Sequence, residues 1–375
     1  MPPEPPPVSA APAIPKGARL FVLAFLLGVA GLWGWAFWSE KQVRPEGTIV
    51  TVDRAPVRSL QFSPDGGSLL ISAVGTGRRA GSRGGVQLVR DADRPEGELP
   101  RVRSGAFGRV AWRRMRTLRV HRGDPQNMGA AAFSPDGRAL VTVSGQVTVW
   151  SADTGRAIRT FKAGRRAAAW TPDSRALAWQ NDTGDVLIQE VATGRLRLVF
   201  RPDPEVLTEM AFTPDGAIVA AHDREGGVTF YDATTGERRA VADAPPALCM
   251  ALSPVEDLVA LGAADGVIRL CDPRTGQVRR TVAPPARPVA PITALAIGPR
   301  ARLAAGDAGG VARLYGSDAG GPADGDAARA FPHATGRSTA AVRALAFSPR
   351  GSHLATGGED GIVRIWPLRP RNSPN

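Results

Sequence analysis

The chain has 375 residues, of which 43% are hydrophobic and 22% charged, so it can build a folded core and is not a wholly disordered polymer. Gly (43) and Pro (33) are abundant, and because both are poor in helix interiors, the composition disfavours a mostly helical protein and suits short strands joined by tight turns. The net charge of +12 comes largely from arginine, and we attribute this skew to genomic base composition rather than to nucleic-acid binding.

The N-terminal region predicts a membrane anchor. Residues 1–19 form a Pro-rich tail, and residues 20–38 (LFVLAFLLGVAGLWGWAFW) contain no charged side chain. At about 1.5 Å per residue this apolar segment matches the roughly 30 Å hydrocarbon core of a bilayer. A signal peptide would have a shorter core and a small-residue cleavage site, whereas this segment ends in bulky residues, Trp35-Ala36-Phe37-Trp38. We therefore expect one uncleaved transmembrane helix rather than a signal peptide or a buried soluble helix.

The orientation of this anchor is set by weak signals. Two basic residues flank each end, Lys16 and Arg19 before it and Lys41 and Arg44 after it, so the count of positive charges is tied. A short tail before a long C-terminal domain is typical of a signal-anchor in the cytoplasmic membrane whose N-terminus lies inside, which would place the C-terminal domain outside the cytoplasm. The linker 39–46 would reach at most about 27 Å when extended.

A short motif recurs along the rest of the chain, from residue 47 to residue 368. An apolar residue, a small residue and Pro are followed by Asp/Gly, a sequence that suits a tight turn between two strands. The copies are FSPDG (62–66), FSPDG (133–137), WTPDS (170–174), FTPDG (212–216), LSPVED (252–257), IGPRA (297–301) and FSPRG (347–351). Except for the first interval of 71 residues, the spacing is close to the roughly 40–45 residues of one four-stranded propeller blade.

Each unit continues with a second apolar strand, a polar turn, a third strand and a Thr-Gly turn, as in Gly361–Ile365 and Ala152–Gly155. The seventh unit ends after its third strand, while residues 47–53 precede the first unit. We therefore predict that 47–53 supplies the outer strand of the seventh blade and closes the ring, which removes an exposed sheet edge.

The combination of FSPDG, a GxVRIW-like third strand and D-x-TG resembles the bacterial form of the WD40-repeat family, over about residues 47–368. The resemblance implies an all-β fold, a seven-bladed β-propeller closed by an N-terminal strand and preceded here by one transmembrane helix. It also implies a tetrad that joins a His, a Ser/Thr, an Asp and a Trp. In the seventh unit Thr356, Asp360 and Trp366 fit this pattern, whereas His333 lies too far upstream to fit. The second unit keeps Trp150 but has lost the Asp.

Nothing in the sequence assembles a catalytic site. There is no phosphate-binding G-x-x-x-x-G-K-[ST] loop and no G-x-S-x-G nucleophile elbow. Most aspartates fall in turns, and for Asp65, Asp136, Asp215 and Asp360 we expect a turn-forming role. Cys249 and Cys271 lie on strands separated by a third strand, so we expect two buried free thiols. We expect no enzyme activity, cofactor or metal.

An insertion in the first unit accounts for the long first interval. Residues 101–122 contain eight arginines and no acidic residue, with aromatic residues interleaved. Such a stretch suits an anionic membrane surface, nucleic acid or an acidic partner, while the alternative is a solvated loop of an arginine-rich protein. The candidate residues are Arg101, Arg103, Arg109, Trp112, Arg113, Arg114, Arg116, Arg119 and Arg122.

The position of the insertion depends on which segment is the outer strand of blade one. If 116–120 is that strand, the insertion leaves the face that carries the Pro-Asp-Gly turns; if 98–102 is, it leaves the opposite face. The sequence leaves both open.

Three functions are consistent with these features. The first is a membrane-tethered, monomeric, non-catalytic scaffold that binds a protein partner. The second is an extracytoplasmic propeller that binds a small ligand or cofactor in its channel, which the apolar inner strands, such as 130–133 and 344–347, disfavour. The third is a binder of anionic lipid through the Arg-rich insertion, nucleic acid being the less favoured ligand there.

Overall fold

The computed structural model describes residues 48–51, 55–74, 85–91, 115–121, 129, 131–283, 289–315, 329–333 and 340–368. These residues form antiparallel β-sheets and one short 3-10 turn, Pro299–Ala301. Within these ranges no helix is long and apolar enough to cross a bilayer. The predicted transmembrane helix at 20–38 lies outside the described residues and stays a prediction.

The strands follow the repeats predicted from the sequence. In chain order the first are β1 (Thr48–Thr51), β2 (Val57–Phe62), β3 (Ser68–Ala73), β4 (Gly85–Asp91), β5 (Met115–His121), β6 (Ala131–Phe133), β7 (Ala139–Val143), β8 (Gly145–Ser151), β9 (Ala157–Trp170), β10 (Ala176–Asn181), β11 (Val186–Glu190), β12 (Leu196–Phe200), β13 (Leu207–Phe212) and β14 (Ile218–Asp223). They continue with β15 (Val228–Asp232), β16 (Arg238–Val241), β17 (Ala247–Leu252), β18 (Val259–Ala263), β19 (Ile268–Cys271), β20 (Val278–Val282), β21 (Ile292–Ile297), β22 (Leu303–Asp307), β23 (Val311–Tyr315), β24 (Arg329–Pro332), β25 (Val342–Phe347), β26 (His353–Gly358) and β27 (Ile362–Pro367).

These strands form seven four-stranded blades, each running from an inner strand to an outer strand. The blades are one (β2–β5), two (β6–β9), three (β9–β12), four (β13–β16), five (β17–β20), six (β21–β24) and seven (β25–β27 with β1). The predicted all-β, seven-bladed propeller is confirmed.

Strand β1 closes the ring. It pairs antiparallel with β27, with Thr48 opposite Ile365 and Thr51 opposite Ile362. The outer strand of the last blade therefore comes from the start of the propeller, as the incomplete seventh unit predicts. Because closure pairs an edge that would otherwise stay open, it joins the first and last parts of the propeller by a backbone ladder.

Blades two and three share the long strand β9. Its first part pairs with β8 as an outer strand, and its second part pairs with β10 as an inner strand. Gly164 marks the change, because it pairs with Gly145 on one side and Asn181 on the other. A Cβ at Gly164 would lie 2.5 Å from Val147, so only glycine fits between the two blades.

The hydrophobic core lies between the blades. Its seven clusters of buried side chains each combine residues from two neighbouring blades. One of them joins blade seven to blade one through Val363 and Ile71, which is the contact that a closed ring requires. Close packing depends on glycine at the second strand: a Cβ at Gly306 would lie 2.4 Å from Val342, and one at Gly357 would lie 2.5 Å from Val57.

The structure decides between the two candidates for the outer strand of blade one. The strand is β5, which pairs with β4 from Asp91 opposite Met115 to Val86 opposite His121. The segment 98–102, the alternative, lies outside the described residues. The insertion therefore joins the third and outer strands of blade one.

Candidate functional site

One face of the propeller carries the Pro-Asp-Gly turns, and we call it the turn face. It also carries the turns between the third and outer strands, because alternate ends of antiparallel strands lie on the same side. The opposite face carries the turns between the second and third strands, such as 181–185 and 358–361.

The aspartates of the Pro-Asp-Gly turns form local hydrogen bonds. In blade two Ser134 Oγ donates to Asp136 Oδ1 (2.5 Å), and the Arg138 N–H donates to the same oxygen (3.0 Å). In blade four Thr213 and the Ala217 N–H donate to Asp215 in the same way, and these bonds lower the pKa of the Asp215 carboxyl. The same pattern is present at Asp65 and Asp173. These carboxylates therefore stabilise turns, as the sequence indicates.

Blades four and five are also joined by an ion-pair network on the turn face. The Arg274 guanidinium contacts Asp257 of its own blade (2.6 Å) and Asp215 of blade four (2.7 Å). Between the third and outer strands, Asp232 pairs with Arg239, whose hydrogen bond lowers the pKa of that carboxyl to about 2. The turn face thus carries ion pairs both within a blade and between neighbouring blades.

The Arg-rich insertion leaves the turn face. Strand β4 ends there at Asp91 and β5 begins there at Met115. Two of the candidate residues lie on β5, with Arg116 opposite Arg90 and Arg119 opposite Gln87. The others lie outside the described residues: Arg101, Arg103, Arg109, Trp112, Arg113, Arg114 and Arg122.

The chain also enters the propeller at the turn face. Strand β1 begins at Thr48, opposite Ile365 near the end of β27, and β27 ends where β26 begins, at the Pro-Asp-Gly-type turn of blade seven. Blade seven is next to blade one in the ring. The entry of the chain and the two ends of the insertion are therefore on the same face and in neighbouring blades.

Blade seven contains a four-residue hydrogen-bond network in its interior. The indole N–H of Trp366 donates to Thr356 Oγ1 (3.0 Å), and His333 Nδ1 lies 2.8 Å from the same oxygen. His333 Nε2 lies 3.3 Å from Asp360 Oδ1. Burial opposes ionisation of Asp360, but the hydrogen bonds from His333 and the Ile362 N–H outweigh it and lower the pKa of the carboxyl.

The expectation for His333 was therefore wrong. It lies 23 residues before Thr356, yet its imidazole is fully buried and contacts Thr356 on the second strand. Strand β24 ends at Pro332 and β25 begins at Val342, and an argument from sequence spacing alone cannot allow for a long separation between two strands.

Comparison with known families agrees with this geometry. The family model described as "WD domain, G-beta repeat" matches residues 331–367, the segment that contains His333, Thr356, Asp360 and Trp366. The segment 331–367, which includes the three strands β25–β27 of blade seven, is therefore similar to a WD40 repeat. A comparison with curated proteins found no match to the chain.

The other blades depart from the WD40 tetrad in different ways. In blade two Trp150 Nε1 donates to Thr142 Oγ1 (2.9 Å), which keeps half of the network. In blade four His222 occupies the end of the second strand, where Nδ1 contacts Thr208 (2.9 Å) and Nε2 contacts the Ala247 carbonyl of blade five (3.0 Å).

Blade three uses an amide instead. The buried Gln180 side chain donates to the Glu205 carbonyl (2.6 Å) and accepts from the Leu207 N–H (3.2 Å) of blade four. Blades three and four, whose tetrads are incomplete, thus add hydrogen bonds to the next blade to their apolar packing.

The channel differs from the apolar lining expected from the sequence. Inner strand β13 places Glu209 where its side chain reaches solvent, and Arg58 of inner strand β2 acts on it electrostatically from blade one. Cys249 lies on the neighbouring inner strand, and its thiol pKa is raised. Burial is the larger cause, and the charge of Glu209 is the smaller one. The sequence signal was available, since Glu209 interrupts an otherwise apolar LTEMAF strand.

Chemically reactive groups are few in the part of the chain that the structure describes. Cys249 and Cys271 are free thiols on β17 and β19, with β18 between them; Cys271 is buried as expected, whereas Cys249 is only partly buried. Burial raises the pKa of Cys271 to about 11, so it is a poor nucleophile near neutral pH. No group of three or more His, Cys, Asp or Glu side chains within the described ranges could hold a metal ion.

Proposed function

We propose that the protein is a membrane-tethered, non-catalytic platform for protein interactions, with the turn face nearest to the membrane. The observation that carries the proposal is topological: the chain enters the propeller on the turn face at Thr48. An anchor at 20–38 with a linker at 39–46 would hold this face close to the lipid, because the linker would reach at most about 27 Å.

The closed ring supports a platform role. Seven interblade clusters and the β1–β27 ladder make a rigid body with loops on two faces. On the described part of the turn face, the Pro-Asp-Gly carboxylates are held by hydrogen bonds within their own turns. Fixed polar groups on a rigid surface suit recognition, because little side-chain entropy is lost when a partner binds.

The anchor and its orientation are tested by protease accessibility. A tag is placed after Asn375, and protease is added to intact cells and to permeabilised cells. Where an outer membrane exists, it is opened in both samples. Digestion in intact cells is the expected result, because we propose that the propeller lies outside the cytoplasm. Protection until the cytoplasmic membrane is opened would reverse the orientation. Release of the protein by carbonate washing would refute the anchor.

A second role is proposed for the Arg-rich insertion, namely binding of anionic lipid headgroups. The supporting observation is that the insertion joins β4 to β5 on the face where the chain enters. Guanidinium groups bind phosphates bidentately and would meet the headgroups of a nearby bilayer.

This role is tested with the full-length protein in nanodiscs of phosphatidylcholine, with or without phosphatidylglycerol. We expect trypsin to cleave the insertion more slowly in anionic discs, and the protection to disappear at high salt or after Arg113→Gln, Arg114→Gln and Arg116→Gln together. Equal cleavage in both discs would refute lipid binding. It would leave the insertion to an acidic protein partner.

A further inference from the structure

Glu209 is the acidic residue among the described inner strands. It lies on β13 of blade four, and the corresponding residues of blades six and seven are Ala294 and Ala344. The inner strands surround the axis of the ring, so a side chain that reaches solvent from this position does so in the central channel. The effect of Arg58, which belongs to the non-adjacent blade one, supports this placement.

The Glu209 carboxylate has no hydrogen bond or ion pair within the described residues, unlike the carboxylates at the same end of the channel in blades six and seven. At the channel end on the opposite face, Arg343 of β25 pairs with Glu359. Asp307 of blade six pairs with Arg313. The Glu209 side chain is open to solvent in the channel, but the surrounding protein partly desolvates its carboxyl; this effect exceeds the attraction of Arg58 and raises the pKa of Glu209 to about 7.

The surroundings of Glu209 suit the apolar part of a ligand. On the neighbouring inner strand, Cys249 is a neutral thiol whose pKa is raised. Leu248, one residue earlier on the same strand, leaves 50% of its side chain exposed. A carboxylate in a channel whose neighbouring inner strand exposes an aliphatic side chain suits a cation carried on an aliphatic stem.

We propose that the central channel binds an organic cation, an ammonium or guanidinium group, at the Glu209 carboxylate. The ligand is either a free amine or a Lys or Arg side chain of a protein that docks on the face opposite the turn face. The site does not require the anchor, so its test is independent of the membrane proposal.

Binding of the cation should become stronger as the pH rises, because of the groups that act on Glu209. The cation needs the ionised carboxylate, and of the neighbouring titratable groups Arg58 stays charged and Cys249 stays neutral. With a pKa of about 7, Glu209 is mostly protonated at pH 6 and mostly ionised at pH 8. The association constant should therefore rise by about tenfold between these two pH values.

The experiment is isothermal titration of the full-length protein in detergent with Nα-acetyl-arginine amide and Nα-acetyl-lysine amide, at pH 6 and pH 8. Nα-acetyl-norleucine amide is the neutral control. We expect saturable binding of at least one cation, stronger at pH 8, and loss of at least tenfold in affinity in Glu209→Gln. Glu237→Gln, which removes an exposed carboxylate from the turn face of the same blade, should bind as the unaltered protein does.

Three outcomes would overturn the proposal: no saturable binding at millimolar ligand, equal binding of the norleucine amide, or unchanged affinity in Glu209→Gln. Circular dichroism is used to test whether Glu209→Gln is folded. Should it unfold, Glu209→Asp keeps the charge one methylene further back and should bind more weakly with the same pH profile. The pentapeptide Gly-Gly-Arg-Gly-Gly distinguishes the two sources of the ligand. If the ligand is the side chain of a protein partner, the peptide should bind more tightly than Nα-acetyl-arginine amide. If the ligand is a free amine, it should not.

Discussion

Replacing Thr356 with Val tests whether the His333–Thr356–Asp360–Trp366 network stabilises the blade that closes the ring. Valine has nearly the same shape, so packing is kept while the hydroxyl is lost. The indole N–H of Trp366 and Nδ1 of His333 each lose a partner at 3.0 and 2.8 Å in the interior. An unsatisfied buried polar group costs about 1–3 kcal/mol, so the two together should cost about 2–6 kcal/mol.

The chain offers a matched control in Thr148→Val. Thr148 is also a buried strand threonine, on β8, but its contact is Thr160 Oγ1 at 3.5 Å, a separation too long for a strong hydrogen bond. We expect this control to change the free energy of unfolding by less than about 1 kcal/mol. The difference between the two variants isolates the hydrogen-bond network from the loss of a hydroxyl as such.

The assay is urea unfolding of the full-length protein followed by far-ultraviolet circular dichroism, combined with hydrogen exchange of β1, β26 and β27. Because β1 pairs with β27, loosening of blade seven should accelerate exchange in Thr48–Thr51 as well as in the second and third strands. Equal urea midpoints for Thr356→Val and Thr148→Val, with unchanged exchange in β1, would refute the reasoning.

Gly276→Ala should lower the melting temperature more than Gly145→Ala. Both residues have positive φ, but a Cβ at Gly276 would lie 2.1 Å from the Val241 carbonyl oxygen, whereas the space at Gly145 is open. Equal shifts in calorimetry would contradict this. Asp360→Asn should lower stability at neutral pH and lose its effect in acid. The folded-state pKa is depressed, so the contribution of Asp360 is present above about pH 4 and is lost as pH falls through the lower folded value; a stability difference independent of pH would contradict this. Arg274→Gln removes two exposed ion pairs and should cost less than about 1 kcal/mol, decreasing further in high salt.

Features that depend on neighbouring residues could be predicted from the sequence. The Pro-Asp-Gly turns and the order of strands within each unit follow from local backbone preferences, because Pro presets φ and Gly accepts positive φ. Seven units with a missing last strand and an unassigned first strand also predict the closing strand β1. The turns and the strand order need only residues close in the chain, whereas the closing strand follows from counting the strands over all seven units.

Features that depend on distant residues were decided by the tertiary structure. His333 joins Thr356 and Asp360 although it lies 23 residues before Thr356, and the structure selects β5 over the segment 98–102 as the outer strand of blade one. Glu209 comes under the influence of Arg58 because ring closure gathers all inner strands around one axis. Repeats specify each blade through local interactions, whereas the contacts inside the ring and its channel exist only after residues far apart in the chain have been brought together.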